Sequence, residues 1–162
     1  MRTTDNRCSQ HGFTLVEVMV ALVIFSISLL GLAGLQAAAL RDNQIANQNS
    51  IATQLAGDMA ERLRTNPLGV ENGDYNSVTA RPGMQECYSG SCTVSEIALM
   101  DQYQWFTELQ EMLPSGTGSI SGDGTRFTIT VMWDQDRTGA TGTGCGTDRT
   151  TDLKCLSVTV EP

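Results

Sequence analysis

One carboxylate, Glu17, lies at the start of a long uncharged segment, where a charge would raise the free energy of membrane insertion. Glu17 follows Phe13 by four residues, and residues 18–40 after it contain no charged side chain. Insertion scales place an acidic residue at the centre of a membrane helix at about 2.5–3.5 kcal/mol, so such residues are functional candidates that need a partner. Residues four apart lie on one face of a helix. The pair of Phe13 and Glu17 is therefore our first candidate site.

The uncharged segment is long enough to cross a bilayer. At about 1.5 Å per residue, a helix over residues 18–40 reaches roughly 35 Å, against a hydrocarbon core of about 30 Å. A secretory signal has an apolar core of only about 7–15 residues and a small-residue cleavage site, which this segment lacks. Arg2 and Arg7 precede it, which predicts a cytoplasmic N-terminus and an exported C-terminal part. An unprocessed signal anchor would explain the span but not the position of Glu17.

The sequence Gly12-Phe13-Thr14-Leu15-Val16-Glu17 resembles the processing site of type IV prepilins and related pseudopilins. The resemblance implies that a prepilin peptidase/N-methyltransferase cuts between Gly12 and Phe13 and methylates the Phe13 amine. It also implies that Glu17 pairs with the Phe13 amine of a neighbouring subunit during assembly, which removes two desolvated charges from hydrocarbon. The alternative is that Glu17 compensates only its own N-terminus and helix dipole.

The cysteines indicate disulfides. Cys8 and the single histidine, His11, lie in the segment that the cut removes, so a Cys–His catalytic pair is excluded for the processed chain. Four cysteines remain: Cys87, Cys92, Cys145 and Cys155. Export places them where disulfides persist, and local pairing, 87 with 92 and 145 with 155, is the simplest of three connectivities. A zinc site is disfavoured, because one spacing is marginal for zinc and the other does not fit.

The exported part is acidic. Beyond Leu40 it has 16 acidic and 8 basic residues, a net charge of about −8. No basic residues cluster there, so direct nucleic-acid binding is disfavoured. The 134–154 loop carries Asp134, Asp136, Asp148 and Asp152, which lack the EF-hand series, so we favour a solvated acidic loop over a calcium site. We expect no cofactor and no catalytic set, and a chain that is a peptidase substrate rather than an enzyme.

A single helix is predicted from Phe13 to about Thr65. Beyond the span an apolar stripe continues at steps of three, four and seven residues, at Ile45, Ala52, Leu55, Met59 and Leu63. Polar residues such as Gln48 are expected on the intervening surface. Asn66-Pro67 ends the helix, because a residue before proline resists the α conformation. We expect the first half in lipid or among sister helices, and the second half packed on a head domain.

The head is predicted to be α+β. Residues 68–93 are turn-rich and indicate a connecting loop. A second helix follows the capping box Thr93-Val94-Ser95-Glu96, with an apolar stripe at Leu99, Tyr103, Phe106, Leu109 and Leu113. For Tyr103, Trp105 and Phe106 we favour core packing over a ligand platform. Alternation predicts strands over residues 127–133 and 156–160, with Ile120 in a short preceding strand. The fold class is a long N-terminal helix packed on a small antiparallel sheet, as in pilins.

The head elements also resemble the PilV group of type IV pilus minor pilins. The resemblance rests on a second helix with a central Trp105 that ends in Leu113-Pro114-Ser115-Gly116, then the 127–134 segment and a C-terminal strand. We divide the chain accordingly into a leader (1–12), a transmembrane and assembly helix (13–40), the exposed half of the long helix (41–66) and a periplasmic head (67–162).

The resemblance implies a minor pilin that helps to initiate pilus assembly in a tip complex and supports motility, adhesion and DNA uptake. Its implied location is the inner membrane and then the fibre. Its implied partners are other minor pilins, the major pilin, the prepilin peptidase, the inner-membrane assembly machinery and a tip adhesin. Two alternatives stay open: a minor pseudopilin of a type II secretion system, and a tip-located binding module for an adhesin or surface.

Overall fold

The computed structural model describes residues 12–87 and 90–162. Contacts divide the chain into two units, one ending at Asn43 and one over Gln44–Pro162. Helix α1 runs over Leu15–Thr65 and belongs to both units. Thr14 precedes it, and its carbonyl and Oγ1 accept from the backbone N–H of Glu17 at 3.1 and 3.3 Å. The predicted long helix is confirmed, and it ends one residue before Asn66.

The turn-rich segment contains two elements that the sequence did not predict. Helix α2, Pro67–Glu71, begins directly after α1 with Asn66 as its N-cap, and the Asn66 side chain accepts from the backbone N–H of Gly69 at 3.3 Å. Proline is favoured at the first helical position, so Pro67 that ends one helix also starts the next. Strand β1, Ser77–Val78, follows. The prediction of a simple loop over 68–93 is therefore wrong at these residues.

The second long helix and the sheet form as predicted. Helix α3 spans Val94–Met112, and Thr93 and Glu96 make the reciprocal hydrogen bonds of a capping box. Strands β2 (Thr117–Gly122), β3 (Phe127–Trp133) and β4 (Lys154–Val160) join β1 in one antiparallel sheet of order β1-β2-β3-β4. The α+β architecture, with a long N-terminal helix packed on a small antiparallel sheet, is confirmed.

The core of the second unit lies between one face of α1, α3 and one face of the sheet. Ala52, Leu55, Met59 and Leu63 of the predicted α1 stripe are buried there, while Ile45 is half-buried. The alternating residues of β3 point into the same core: Phe127, Ile129, Val131 and Trp133. Close packing requires Gly118, because a Cβ there would lie 2.5 Å from the Trp105 ring.

Two details of the predicted helix faces are wrong. Gln48 was expected on the α1 surface, but it is only 5% exposed and its Oε1 accepts from the Trp133 indole N–H at 3.2 Å. On α3 the buried face is rotated from the predicted stripe, because Leu99 is 40% exposed whereas Asp101 and Gln102 are buried. Both corrections have one cause: buried polar side chains here find partners, so polarity alone does not mark the solvent face.

Candidate functional site

The Glu17 carboxylate stands in the first turn of α1 without a partner in the described residues. Its backbone N–H is bound by Thr14, but the carboxylate makes no hydrogen bond or ion pair with residues 12–87 or 90–162. The positive end of the helix dipole favours an acidic residue in this turn, by about 0.3–1 kcal/mol at exposed sites. This stabilisation is smaller than the free-energy cost of placing a carboxylate in hydrocarbon, so the helix dipole alone does not offset that cost.

Phe13 and Glu17 share a concave strip of the helix surface. It encloses about 590 Å³ and is lined by Phe13, Glu17, Val18, Ala21, Leu22 and Phe25. Phe13 is 81% exposed, and no described atom lies within 4 Å of where a side chain would begin at Gly12. The structure therefore places Phe13, one of the two predicted cleavage residues, and Glu17, the predicted assembly residue, together on an open face.

The apolar surface around this strip is uncovered. Every large apolar side chain of residues 13–40 is at least 49% exposed, and no residue of α1 before Gln48 is buried. Within the described residues, α1 is the helix long and apolar enough to cross a membrane. Burial of such side chains is worth roughly 1.5–3 kcal/mol each, so this segment requires a lipid or protein environment that the chain itself does not supply.

Residues 7–33 match the model of the prokaryotic N-terminal methylation motif. The chain carries a type IV pilin-like prepilin signal. The match covers Glu17 and the residues at which cleavage is predicted, Gly12 and Phe13, and it supports a protein of the type IV pilin or pseudopilin class, whose members are structural subunits. The apolar N-terminal helix and this signal together fit membrane anchoring before assembly.

The head is not covered by the family match, which ends at residue 33. No curated protein and no solved structure matches the chain. The resemblance of the head to the PilV group is therefore not supported by a match, and the class of the chain rests on its N-terminal segment.

Two disulfides fasten the irregular parts of the head. Cys87 is joined to Cys92 just before α3, and Cys145 is joined to Cys155 at the start of β4, with Cα–Cα distances of 5.5 Å in both. The second bond ties the β3–β4 loop to the sheet. A small apolar cluster lies beside it, where Met132 packs with Ala140 and Leu153. Cys8 and His11 lie outside the described residues.

The β3–β4 loop is organised by a buried carboxylate. Asp134 is 4% exposed, and it accepts from the backbone N–H of Gly139 at 2.8 Å and of Thr138 at 3.1 Å. Burial raises the pKa of the Asp134 carboxyl, but these hydrogen bonds outweigh it and hold the pKa below its ordinary value. The prediction of a solvated acidic loop is wrong at this residue. Among residues 12–87 and 90–162, no three His, Cys, Asp or Glu side chains are grouped to hold a metal.

A polar network joins α1 to α3 on the side of the head. Arg62 contacts Asp58 at 2.9 Å, Asp101 at 3.4 Å and Glu108 at 3.3 Å. Burial lowers the pKa of the Arg62 guanidinium, but the hydrogen bond to Asp58 and the three carboxylates raise it above its ordinary value. Tyr75 donates its hydroxyl to Asp101 at 2.8 Å. Burial and this hydrogen bond raise the pKa of the Tyr75 hydroxyl.

Two indole groups fix the head on α1. The Trp105 N–H donates to the Leu55 carbonyl at 2.9 Å, and the Trp133 N–H donates to Gln48. Trp105 and Phe106 are fully buried, so the expectation of core packing is confirmed for both. The anchoring role of Gln48, Arg62 and Asp101 was not found from the sequence. The sequence did contain a signal for Gln48, because a buried tryptophan such as Trp133 requires an acceptor for its N–H.

Proposed function

We propose that this protein is a minor pilin of a type IV pilus. A prepilin peptidase removes residues 1–12 and methylates Phe13, and residues 13–40 anchor the subunit in the inner membrane and then pack in the fibre. Residues 41–66 carry a periplasmic head formed by residues 67–162. The subunit joins other minor pilins in the complex that starts the fibre, and motility, adhesion and DNA uptake depend on it through the pilus.

The observation that carries the proposal is the Glu17 carboxylate. It lies on an exposed apolar helix face beside Phe13, and no described residue neutralises it. A methylated Phe13 amine keeps its positive charge, so the amine of a neighbouring subunit matches the carboxylate. Such a pair is worth more in hydrocarbon than in water, and breaking it leaves a buried unpaired charge at a cost of about 3–5 kcal/mol. The pair therefore selects the register in which subunits enter the fibre.

The finer assignment to a minor pilin rests on the head. The resemblance to the PilV group rests on the α3 helix with its buried Trp105, the β3 strand that ends at Trp133 directly before Asp134, and the C-terminal strand. A minor pseudopilin of a type II secretion system shares the whole N-terminal mechanism. Co-purification with pilus fibres rather than with a secretion complex supports the pilus assignment, and the reverse contradicts it.

The Glu17→Ala variant tests the role of the carboxylate. We expect the variant to be inserted in the membrane and cut after Gly12 as the wild type is, while its amount in the assembled fraction falls by about tenfold or more. Glu71→Ala is the matched control, because Glu71 is an exposed carboxylate at the end of α2. Equal incorporation of Glu17→Ala and wild type would refute the assembly role.

A further inference from the structure

The β4 edge of the sheet is open along its length. Strand β4 pairs with β3 in an unbroken register from Phe127 with Val160 to Trp133 with Lys154, and β4 is the last strand of the sheet. No backbone group of residues 154–160 bonds to a described residue outside that ladder. The opposite edge differs, because β1 covers β2 at Ile120 and Ser121.

Lys154, at the start of β4, is the one charge on this edge, and from Leu156 to Val160 the edge lacks the features that protect edge strands. Natural sheets blunt their edges with very short strands, prolines, bulges, charges that point inward or a covering segment. Residues 156–160, Leu-Ser-Val-Thr-Val, contain no proline and no charge, and their pairing with β3 shows no bulge. An uncharged, β-branched edge of this kind is a template for pairing with another chain.

A strip of half-buried apolar side chains lies beside the open edge. Leu156, Val158 and Val160 of β4, with Ile51 of α1, pack against the head core but remain partly exposed. The alternate residues, Ser157 and Thr159, are exposed. A fifth strand would complete the backbone hydrogen bonds of β4 and cover this strip in the same step, with apolar side chains at every second position.

The charge at one end of the edge indicates the chemistry of the added strand. Lys154 is the single lysine of the chain, and it forms no ion pair with a described residue. At the other end Glu161 is already paired with Arg126 at 2.8 Å. A strand that carries an acidic residue at the Lys154 end is therefore complementary to this edge.

We propose that the edge of β4 receives an extended strand from the head of a neighbouring pilin-class subunit. The incoming strand alternates apolar and polar residues and carries an acidic residue near Lys154. This inference rests on the proposed function, because assembly brings the heads of different subunits together. It adds a second contact to that of Glu17: the helix selects the fibre register, and the β4 edge selects the neighbouring head.

Hydrogen exchange of the full chain tests the contact. Amide exchange of the peptide over residues 154–160 is measured in the assembled fraction and in the chain alone in detergent micelles. We expect this peptide to exchange about tenfold more slowly in the assembly, which corresponds to about 1.4 kcal/mol. The peptide over α3 is the internal control and is expected to exchange equally in both. The proposal is overturned if residues 154–160 exchange at the same rate in the assembly and in the chain alone. It is also overturned if concentrated micelles of this chain alone protect residues 154–160 as much as the assembly does, because the added strand then comes from a second copy of this chain.

A matched pair of variants on adjacent residues separates the edge from general effects of charge. In Val158→Lys the ammonium reaches water while the edge is open but is buried when a strand is added, so we expect association with other subunits to fall about tenfold. In Thr159→Lys the new charge lies on the solvent face in both states, and association is expected to stay within about twofold. Val160→Lys repeats the test near the strand end in case Val158→Lys unfolds the head.

The variants also separate this inference from the proposed function. Wild type, Val158→Lys and Thr159→Lys are all expected to be cut after Gly12 and methylated at Phe13. If wild type reaches the assembly and Val158→Lys and Val160→Lys do so equally well, the β4 contact is wrong and the pilin assignment stands. If wild type is neither processed nor assembled, the proposed function itself is wrong.

Discussion

The two halves of α1 are both helical, but only the second half is buried against other parts of the chain. From Leu15 to residue 43 the helix buries no side chain, although most of its residues are apolar. From Gln44 to Thr65 the helix is more polar in sequence, yet it buries seven residues against the head, including Leu55 and Met59. Apolar character and burial are therefore separated along one helix.

The difference shows where each half finds its partners. Residues 44–65 are satisfied within the chain by α3, the sheet and the two indole hydrogen bonds. The first half carries a larger apolar surface and an unpartnered carboxylate, so its stable environment must come from lipid or from other subunits. One half of the helix is part of a folded domain, and the other half depends on surroundings that the described residues do not supply.

The strongest test of this contrast compares Trp105 of α3, which packs on the second half of α1, with Phe25 in the first half of α1. Trp105→Ala removes a fully buried ring and its hydrogen bond to the Leu55 carbonyl, and we expect a loss of about 3–5 kcal/mol in the free energy of unfolding of the head. Phe25→Ala in the first half is expected to change it by less than about 0.5 kcal/mol. Denaturant unfolding in detergent, followed by near-UV circular dichroism, measures both.

A smaller effect is expected from the disulfides, which belong to the head alone. The Cys145→Ser/Cys155→Ser variant opens a loop with a sequence separation of 10, and the chain-entropy model gives a loss of about 2–3 kcal/mol. The Cys87→Ser/Cys92→Ser variant opens a shorter loop and is expected to lose slightly less. The thermal midpoint of the head reports both losses, and processing at Gly12 serves as the readout for the first half. Impaired processing at Gly12 in either variant would show that the first half of α1 is not independent of the head.

The smallest effect concerns acid. Hydrogen bonds hold the pKa of Asp134 below its ordinary value, and those from Arg126 and Thr125 lower the pKa of Asp123 to about 2. The pKa values of these two carboxyls are lower in the folded state than in the unfolded state, where an aspartate titrates near about pH 4. The two ionised carboxylates therefore contribute fully to stability above about pH 4, and this contribution is lost as the pH falls toward the folded-state pKa values. In Asp134→Asn we expect the free energy of unfolding to fall by about 1–2 kcal/mol at pH 7. On acidification we expect a smaller further loss of stability than in wild type.

Unfolding measured at pH 7 and at pH 3 tests this assignment. Glu111→Gln, at an exposed position of α3, is the comparison variant for general changes in charge. An acid dependence of Asp134→Asn equal to that of wild type would show that Asp134 does not carry this part of the stability.

Local signals in the sequence predicted the regular elements well. The capping box at Thr93 and Glu96, the alternation in β3 and the length of α1 each follow from one strong period or cap, and the structure has all three. Helix α2 and strand β1 were missed because each is short, with five and two residues, and depends on contacts made by the rest of the head. The cap at Asn66 was interpreted only as a helix end.

Buried polar residues account for the remaining errors. Gln48, Asp101 and Asp134 are polar, and hydrophobic periodicity places such residues at the surface. Gln48 and Asp101 are buried because partners from distant parts of the chain satisfy them, namely the Trp133 indole and the Tyr75 hydroxyl with Arg62. Asp134 is satisfied within its own loop, by the backbone of residues 138–139. Neither the distant partners nor the fold of this loop follows from hydrophobic periodicity along one segment.

The central claim is that the chain is processed after Gly12 and that the new N-terminus then meets Glu17 of a neighbour. The most direct measurement is the N-terminal peptide mass of the chain isolated from assembled fibres of its own bacterium, for wild type and Glu17→Ala. We expect a wild-type chain that begins at a monomethylated Phe13, and a Glu17→Ala chain that is cut in the membrane but depleted from the fibres. A fibre-associated chain that retains residues 1–12 would show that the subunit enters the fibre without processing at Gly12.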